Sequence, residues 1–378
     1  MNVVLVGAGR YGQFYADRLL SAKEDGVRFA GVVEQNFAAS PARRKLEEAG
    51  VPIFRSMEEF YAREGADLAV LCTPPFLHAA QSVCALSHGS CVLCEKPAAP
   101  TASDVERMIA AEARYGRFIA IGYQWSYSQA MQAVKRDLLG GLFGKPVLLK
   151  TMISWPRDLA YYGNAWSGRL ERDGVLILDS VASNACAHFL HNMFFLLGER
   201  MDESAAPVSA QVECLRANAI ESYDTCALRM RMREGATLYF IATHAAKDDF
   251  APGFVYEFEN AVLTFSASDG KGIVATFRDG TEKRYGIPTE DLKKLDDCIS
   301  AVRTGTRPVC TAKTALPHAA LIESIYRKAP ICDFPREMIV HAEGRVYVDG
   351  LSEKLREAYA RTALLSECGY SFVTKTDL

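Results

Sequence analysis

VLVGAGRYG, residues 4–12, decides how the rest of this 378-residue chain is read. An apolar, strand-like run ends in a glycine, and Gly7, Gly9 and Gly12 complete a G-x-G-x-x-G spacing. The first glycine permits a tight turn, and the second lets backbone approach a pyrophosphate. The third lets helix and strand pack closely, with the helix N-terminus facing the phosphates. The motif alone is weak. Here a second strand-like run, VRFAGVVE, ends in Glu34, 22 residues beyond Gly12. A carboxylate there accepts hydrogen bonds from a ribose 2′-OH and repels a 2′-phosphate, so NAD is expected and NADP disfavoured. The competing reading is that the glycines only shape a turn and Glu34 is a solvated strand end.

Outward from this motif, the first 120 residues alternate between short β-branched runs (DLAVLCT, SCVLCEK, RFIAIGY) and longer stretches with helical spacing (QFYADRLLSAKED, ASDVERMIAAEARYG). That alternation predicts a parallel sheet with crossover helices, and the nearly unbroken apolarity of the runs fits strands covered on both faces. After about residue 145 strands follow one another with few helices, and several alternate apolar with polar residues. A long helix is expected over Leu178–Leu197, and further helices over DLKKLDDCISAVRTG and ALPHAALIESIYRKA. The fold class expected is α/β plus α+β: an N-terminal Rossmann dinucleotide-binding domain, then a domain on an open, largely antiparallel β-sheet. The boundaries expected are 1–122, 123–330 and a C-terminal extension over 331–378.

Composition narrows the function. The formal net charge is -3 and the basic clusters are short, so no nucleic-acid partner is expected. No apolar run is long enough to span a bilayer, so no membrane partner is expected either. The first strand starts at about residue 2, leaving no room for a cleavable leader, and the odd count of eleven cysteines reads as reduced thiols in a cytoplasm. Cys91-x-x-Cys94 falls within a predicted strand, where residues three apart face opposite ways. It therefore reads as core, and no metal site is expected.

Cys72–Thr73 and Glu95–Lys96–Pro97 end consecutive strands, and the carboxyl ends of parallel strands are where open α/β sheets bind ligands. A lysine there, partly buried, can exchange protons near neutrality. These residues belong to a longer pattern. Thr73, Pro74, His78, Ala85, Leu86, Gly89, Val92, Glu95, Lys96 and Pro97 match T-P-x-x-x-H, A-L-x-x-G-x-x-V and E-K-P, and GLFG (141–144) precedes a strand. In this the chain resembles the glucose–fructose oxidoreductase, inositol dehydrogenase and MocA-like family, strongly over residues 1–150 and fairly to about 330. The resemblance implies a nicotinamide between the two domains, with Lys96 near it and near the reacting hydroxyl. It places Gln124 beside the nicotinamide, His78 near the cofactor (or as a helix cap), and Arg10 and Tyr11 along the phosphate turn. Thr73, Pro74 and Glu95 join the cofactor set.

The family also carries an Asp and, four residues on, a His on the helix after the loop corresponding to DGVLILD. Here Asp179 matches, but Ser183 stands where the His is expected. His188 and His191 lie about 13.5 and 18 Å further along an ideal helix axis, too far for the same reacting centre. Ser180, Asn184, His188 and His191 nevertheless form an i, i+4, i+8, i+11 line, which fits equally a stripe facing polar core or another chain. Asn184 can hold a hydroxyl but cannot act as acid or base. The loop SWPRDLAYYGNAWSGR adds Arg157, Tyr161 and Trp166, which suit a sugar or simply anchor the loop. His244 ends a strand and faces either a cleft or the interior. The expected catalytic residues are Lys96 and Asp179. Arg157, Tyr161, Trp166, Ser183, Asn184 and His188 are expected to contact substrate.

The expected activity is hydride transfer between NAD(P) and a secondary alcohol carbon of a sugar, cyclitol or derivative. Lys96 takes the hydroxyl proton, and Asp179 orients Lys96 and substrate. The alternatives are an NAD-dependent glycosidase working through transient oxidation, and a non-catalytic NAD-binding regulator. An exposed apolar sheet face and the family resemblance together suggest a homodimer or homotetramer.

Overall fold

The computed structural model describes residues 1–22, 26–288 and 292–378. The last three residues of the helical run 13–25 and the first of 291–305 lie outside the described residues. The chain divides into two compact units, one of residues 1–127 and 290–316 and the other of 128–289 and 317–378.

In the first unit, six strands form one parallel sheet: β1 (Asn2–Val6), β2 (Arg28–Val33), β3 (Ile53–Phe54), β4 (Leu68–Leu71), β5 (Cys91–Cys94) and β6 (Ile119–Ile121). Their order is β3-β2-β1-β4-β5-β6, the arrangement of dinucleotide-binding sheets, with the strand order reversing between β1 and β4. The described connections include α1 (Gly12–Ser21), α2 (Arg43–Glu48), α3 (Met57–Tyr61), α4 (Pro75–Ser87) and α5 (Ala102–Tyr115), and α6 (Gln124–Tyr127) follows β6. Sequence sets the helix ends. Thr101 caps α5 by accepting from Asp104 N, and Gly116 closes it in the left-handed region. β4 and β5 are buried along their lengths and β1 from Val3 to Val6, as their apolar runs require, and Cys91 and Cys94 are core residues with free thiols.

The second unit begins with α7 (Gln129–Leu139) and β7 (Pro146–Ser154), followed by a hairpin of β8 (Glu171–Arg172) and β9 (Val175–Leu176). After α8 (Ala187–Leu196) come β10 (Ser209–Arg216), β11 (Thr225–Arg231), β12 (Thr237–Thr243), β13 (Phe250–Phe258), β14 (Ala261–Ser266), β15 (Ile273–Phe277) and β16 (Glu282–Gly286). The chain then returns to the first unit as α9 (Lys293–Thr304). α10 (Ala312–Lys328) carries it across the division between Leu316 and Pro317. β17 (Ile331–Asp333), a hairpin of β18 (Ile339–Ala342) and β19 (Arg345–Val348), α11 (Leu351–Arg361) and β20 (Thr376–Asp377) complete the second unit. Its main sheet runs β16-β15-β14-β13-β7-β12-β11-β10-β17, with β20 also on β10. Most neighbours are antiparallel; β7–β12 and β10–β17 are parallel.

Two sequence expectations change. Leu295, Cys298, Ile299 and Ala301 of α9 share a core with β1, β2, β4 and α1, so residues 290–316 pack with the nucleotide-binding sheet although they follow the second unit in sequence. The C-terminal extension is also integral to the second unit. Leu351, Leu355, Ala358, Leu364 and Leu365 bury Leu215, Ala227, Tyr239 and Ile241 of the sheet. Tyr239 Oη donates to Ala363 O at 2.6 Å, and Arg229 pairs with Glu367 at 2.7 Å. That part of the sheet face is therefore covered by the chain itself, which removes it from the exposed-face argument for assembly. Among the described residues no helix is long and apolar enough to cross a membrane.

Candidate functional site

In the first unit the glycine turn lies at the point where strand order reverses. Gly7 has φ +90°, and a Cβ on it would fall 2.8 Å from Cys72 O, at the end of β4. A Cβ on Gly12 would fall 2.2 Å from Gly7 O, so α1 can start this close to β1 only with glycine there. Gly9 differs, because a Cβ would meet nothing within 4 Å. The protein leaves space over its backbone at the start of α1, as an approaching pyrophosphate requires. Glu34, directly after β2, accepts from Ala8 N at 2.9 Å and from Asn36 N at 3.1 Å, which ties the turn to the strand end where a ribose would sit. These residues fit a dinucleotide.

Thr73, Pro74 and the Glu95–Lys96–Pro97 segment follow β4 and β5 at the same edge. The Lys96–Pro97 peptide is cis. Lys96 is half-buried, and its backbone N–H donates to Glu95 Oε2 at 3.1 Å. The Glu95 carboxylate is buried and multiply held: Tyr15 Oη donates to Oε1 at 2.5 Å, and the buried Lys294 ammonium donates to the same oxygen. Burial alone pushes the Glu95 carboxyl up, but the Lys294 charge and the hydrogen bonds from Lys294 and Tyr15 hold it below its ordinary value. Burial pushes Lys294 down, and Glu95 outweighs it, holding the ammonium above its ordinary value. Gly122 makes room for this pair, since a Cβ there would fall 2.9 Å from Glu95 Oε1. Lys294 Nζ also lies 4.7 Å from the Tyr11 ring centroid. It therefore joins the phosphate turn to the residue preceding Lys96.

His78 does not meet the expectation of a cofactor contact or a helix cap. It lies inside α4, fully buried, with Nδ1 2.9 Å from Pro97 O and Nε2 2.8 Å from Thr73 O. Burial, against those backbone contacts, lowers its pKa. It braces the two strand-end segments against each other. Gln124 is half-buried at the first position of α6, Tyr11 is the N-cap of α1, and Arg10 is exposed beside it.

In the second unit the expected helix over Leu178–Leu197 breaks in two. Asp179 and Ser180 are outside it, a π-turn spans Val181–Ala185, and α8 begins at Ala187. The cause is local. Ser180 Oγ accepts from Ser183 N at 3.1 Å, while Ser183 Oγ accepts from Ser180 N at 2.8 Å, a reciprocal cap that starts the helix there. The i, i+4 face shared by Asp179 and Ser183, and the line Ser180–Asn184–His188–His191, do not exist as regular helix faces. Ser183 is buried in the cap, which corrects its expected substrate role. His191 is core, its pKa lowered by burial. Asn184 keeps its partner by another route, its Nδ2 donating to Asp179 Oδ1 at 2.9 Å, while Gly168 N donates to Oδ2 at 2.6 Å. Leu178, just before Asp179, has φ +51°, a strained position for a non-glycine residue.

The aromatic loop closes around this acid. Gly168 also packs against Tyr162, whose Oη lies 3.0 Å from His244 Nδ1. Burial raises the Tyr162 pKa, with Asp224, Tyr161 and Asp179 adding to it, and burial with the Arg157 charge pushes His244 down to about 3. Both are neutral at pH 7. Tyr161 packs edge-on to Tyr162 and to His244, and Arg157 lies over Tyr161. Arg157, Tyr161, Asp179 and Asn184 are thus brought into one cluster. Trp166 and His188 are half-buried nearby in sequence. Sequence reasoning missed Lys294 and Tyr15, and it did not foresee that Tyr162 and His244 pair. Lys294 had a signal: it stands on the apolar stripe of α9 with Leu295, Cys298 and Ile299, where a charge needs a partner.

Comparisons with known proteins agree with this geometry. The model of an oxidoreductase family with an NAD-binding Rossmann fold matches residues 1–123. The inositol 2-dehydrogenase of Renibacterium salmoninarum is 31% identical over 150 residues, covering 39% of this chain and 44% of that one. A 2,7-anhydro-N-acetylneuraminate hydratase of Mediterraneibacter gnavus is 22% identical, covering 54% and 51%. The chain thus spans about half the length of these curated relatives. The crystal structure of the WlbA dehydrogenase from Bordetella pertussis, in complex with NADH and UDP-GlcNAcA, superposes with a TM-score of 0.70 at 22% identity, over 86% of this chain and 95% of that one. That likeness is one of fold. Sequence motif, strand order and family match coincide over residues 1–123, the stretch that matches the model of the Gfo/Idh/MocA oxidoreductase family with its NAD-binding Rossmann fold.

Proposed function

We propose that this protein is an NAD-dependent dehydrogenase acting on a secondary alcohol carbon of a sugar, cyclitol or derivative. The observation that carries the reading is the open glycine turn at the β1–β4 reversal, with Lys96 after β5 on the same sheet edge. Bound NAD supplies the hydride acceptor. Gly7, Gly9, Arg10, Tyr11 and Gly12 hold its phosphates, and Glu34 favours NAD over NADP through the ribose. Lys96 accepts the hydroxyl proton, and Glu95 fixes its backbone. Asp179 and Asn184 hold a substrate hydroxyl. An inositol 2-dehydrogenase among the relatives, and a fold neighbour holding NADH with UDP-GlcNAcA, support the cofactor and the polyol class.

The test is reduced-cofactor formation from NAD across a panel of sugars and cyclitols, with Lys96→Met as control. Positioned proton transfer contributes about 10²–10⁴-fold, so the mutant should lose at least about 10² in kcat while binding NAD normally. Full turnover in the mutant removes Lys96 from the chemistry. The hydratase relative favours one second reading, in which product forms without net release of reduced cofactor. Product analysis without added NAD separates the two. Eleven cysteines, all free, support a reducing compartment such as the cytoplasm.

A further inference from the structure

Arg157 is a cation of the second unit for which the described residues supply no salt-bridge partner. Its backbone N–H donates to His244 O at 3.2 Å, which fixes where the side chain starts. The guanidinium carbon lies 5.5 Å from the Trp155 ring centroid and 4.8 Å from that of Tyr161. Nε is buried without a hydrogen-bond partner. Trp155 is in turn packed edge-on to Phe189 of α8, with centroids 5.4 Å apart. The group is therefore held by ring faces rather than by charge.

The nearby carboxylates are committed elsewhere. Asp179 accepts from Gly168 and Asn184. Asp224 accepts from the backbone of Ala217, from the backbone and side chain of Asn218, and from Thr225. Asp158 Oδ1 accepts from Tyr161 N at 2.9 Å. Among the described residues none of them pairs with Arg157. Tyr162 and His244, the other polar groups of the cluster, are neutral. A planar guanidinium, held over two rings with its Nε buried, presents its two terminal nitrogens as a fork suited to a planar anion. Hydroxyl groups of a neutral sugar would leave its charge unanswered in a partly dry site, and charge-assisted hydrogen bonds are about twice as strong as neutral ones.

We propose that Arg157 receives a carboxylate of the substrate, so that the substrate class is acidic sugars, uronates and their derivatives, rather than neutral polyols. This rests on the dehydrogenase reading above and names the substrate of that same enzyme. The test uses the full chain saturated with NAD and two matched pairs of probes: D-glucuronate with D-glucose, and D-galacturonate with D-galactose. Calorimetric titration should show at least one acid binding about tenfold or more tighter than its neutral parent. Arg157→Gln should abolish that difference and Arg157→Lys should restore part of it, with NAD affinity unchanged in both. Equal affinity within both pairs, acid binding indifferent to Arg157→Gln, or no acid binding at all overturns the proposal. Reduced cofactor formed from neutral sugars alone overturns it and leaves the dehydrogenase reading standing. Acid binding through Arg157 with no reduced cofactor from any probe does the reverse.

Discussion

Single residues of this protein divide into those the fold needs and those it leaves for a ligand, and substitutions separate them. Gly12→Ala drives a methyl group into Gly7 O and should prevent both stable folding and NAD binding. Gly9→Ala meets no protein atom. It should leave the thermal midpoint within about 2 °C, as surface changes of under ~0.5 kcal/mol do, while NAD affinity falls. Calorimetric titration beside thermal melts checks both, and a Gly9→Ala protein that binds NAD normally would refute the placement of the phosphates.

His244 gives a pH dependence. Its pKa is about 3 folded and about 6.5 unfolded. Between those values the unfolded chain binds a proton that the folded chain refuses, so stability falls as pH drops from about 6.5 toward 3, by about 1.4 kcal/mol per unit at most. Urea midpoints at pH 7 and pH 5 should differ more in the wild type than in His244→Gln; equal differences remove His244 as a cause. The glycines, Glu34 and Lys96 were legible in sequence because each stands at a fixed offset from a strand end. His78 and His244 were not, because alternation along an element does not show which carbonyl or ring will meet an imidazole.

At the level of elements, the decisive feature is the start of α8. The sequence periodicity over Leu178–Leu197 is helical and apolar enough to suggest one helix. Yet Ser180 and Ser183 offer the backbone a reciprocal cap, and such local side-chain bonds compete with continuation of a helix. That competition moved Asp179 off the helix and removed the face on which a histidine at 183 was expected. Ser183→His should therefore not install a proton carrier beside Asp179. It should lose the cap at a cost of about 1 kcal/mol and leave the pH–rate profile unshifted. A new acidic limb in that profile near the ordinary histidine range would contradict the cap geometry. α9 shows the opposite relation. Its amphipathic pattern was plain, but only the packing reveals that its lysine belongs to an acid some 200 residues earlier. Lys294→Met would strand the buried Glu95 charge, a change that typically costs about 3–5 kcal/mol. Chemical denaturation should show a loss of that order, largely relieved in the double variant Glu95→Gln, Lys294→Met.

For the whole molecule, the alternation of strands and helices and then of strands alone was enough to anticipate two folds in one chain. What it could not show is which remote segments complete each. The C-terminal extension has ordinary strand and helix signals, but nothing in its own pattern says that it lies on Leu215, Tyr239 and Ile241. Ending the chain at Asp349 removes α11, the turns after it and β20. Sedimentation should then find a self-associating or unfolded protein, whereas the full chain keeps that face covered at all concentrations. A monodisperse, folded truncation would mean that the extension adds little.

The return of α9 to the first unit also bears on how the protein is made. β1–β6 emerge from the ribosome early, but Lys294, Leu295 and Cys298, which complete their core, follow only after the entire main part of the second sheet. At roughly 5–20 residues per second, translation from residue 127 to 316 takes on the order of 10–40 s. During that interval Glu95 lacks its cation and Leu5, Leu19 and Val32 lack part of their cover. The nascent nucleotide-binding unit thus leaves part of its apolar core uncovered for that interval. Expression of residues 1–127 alone would yield a chain held permanently at that unfinished stage.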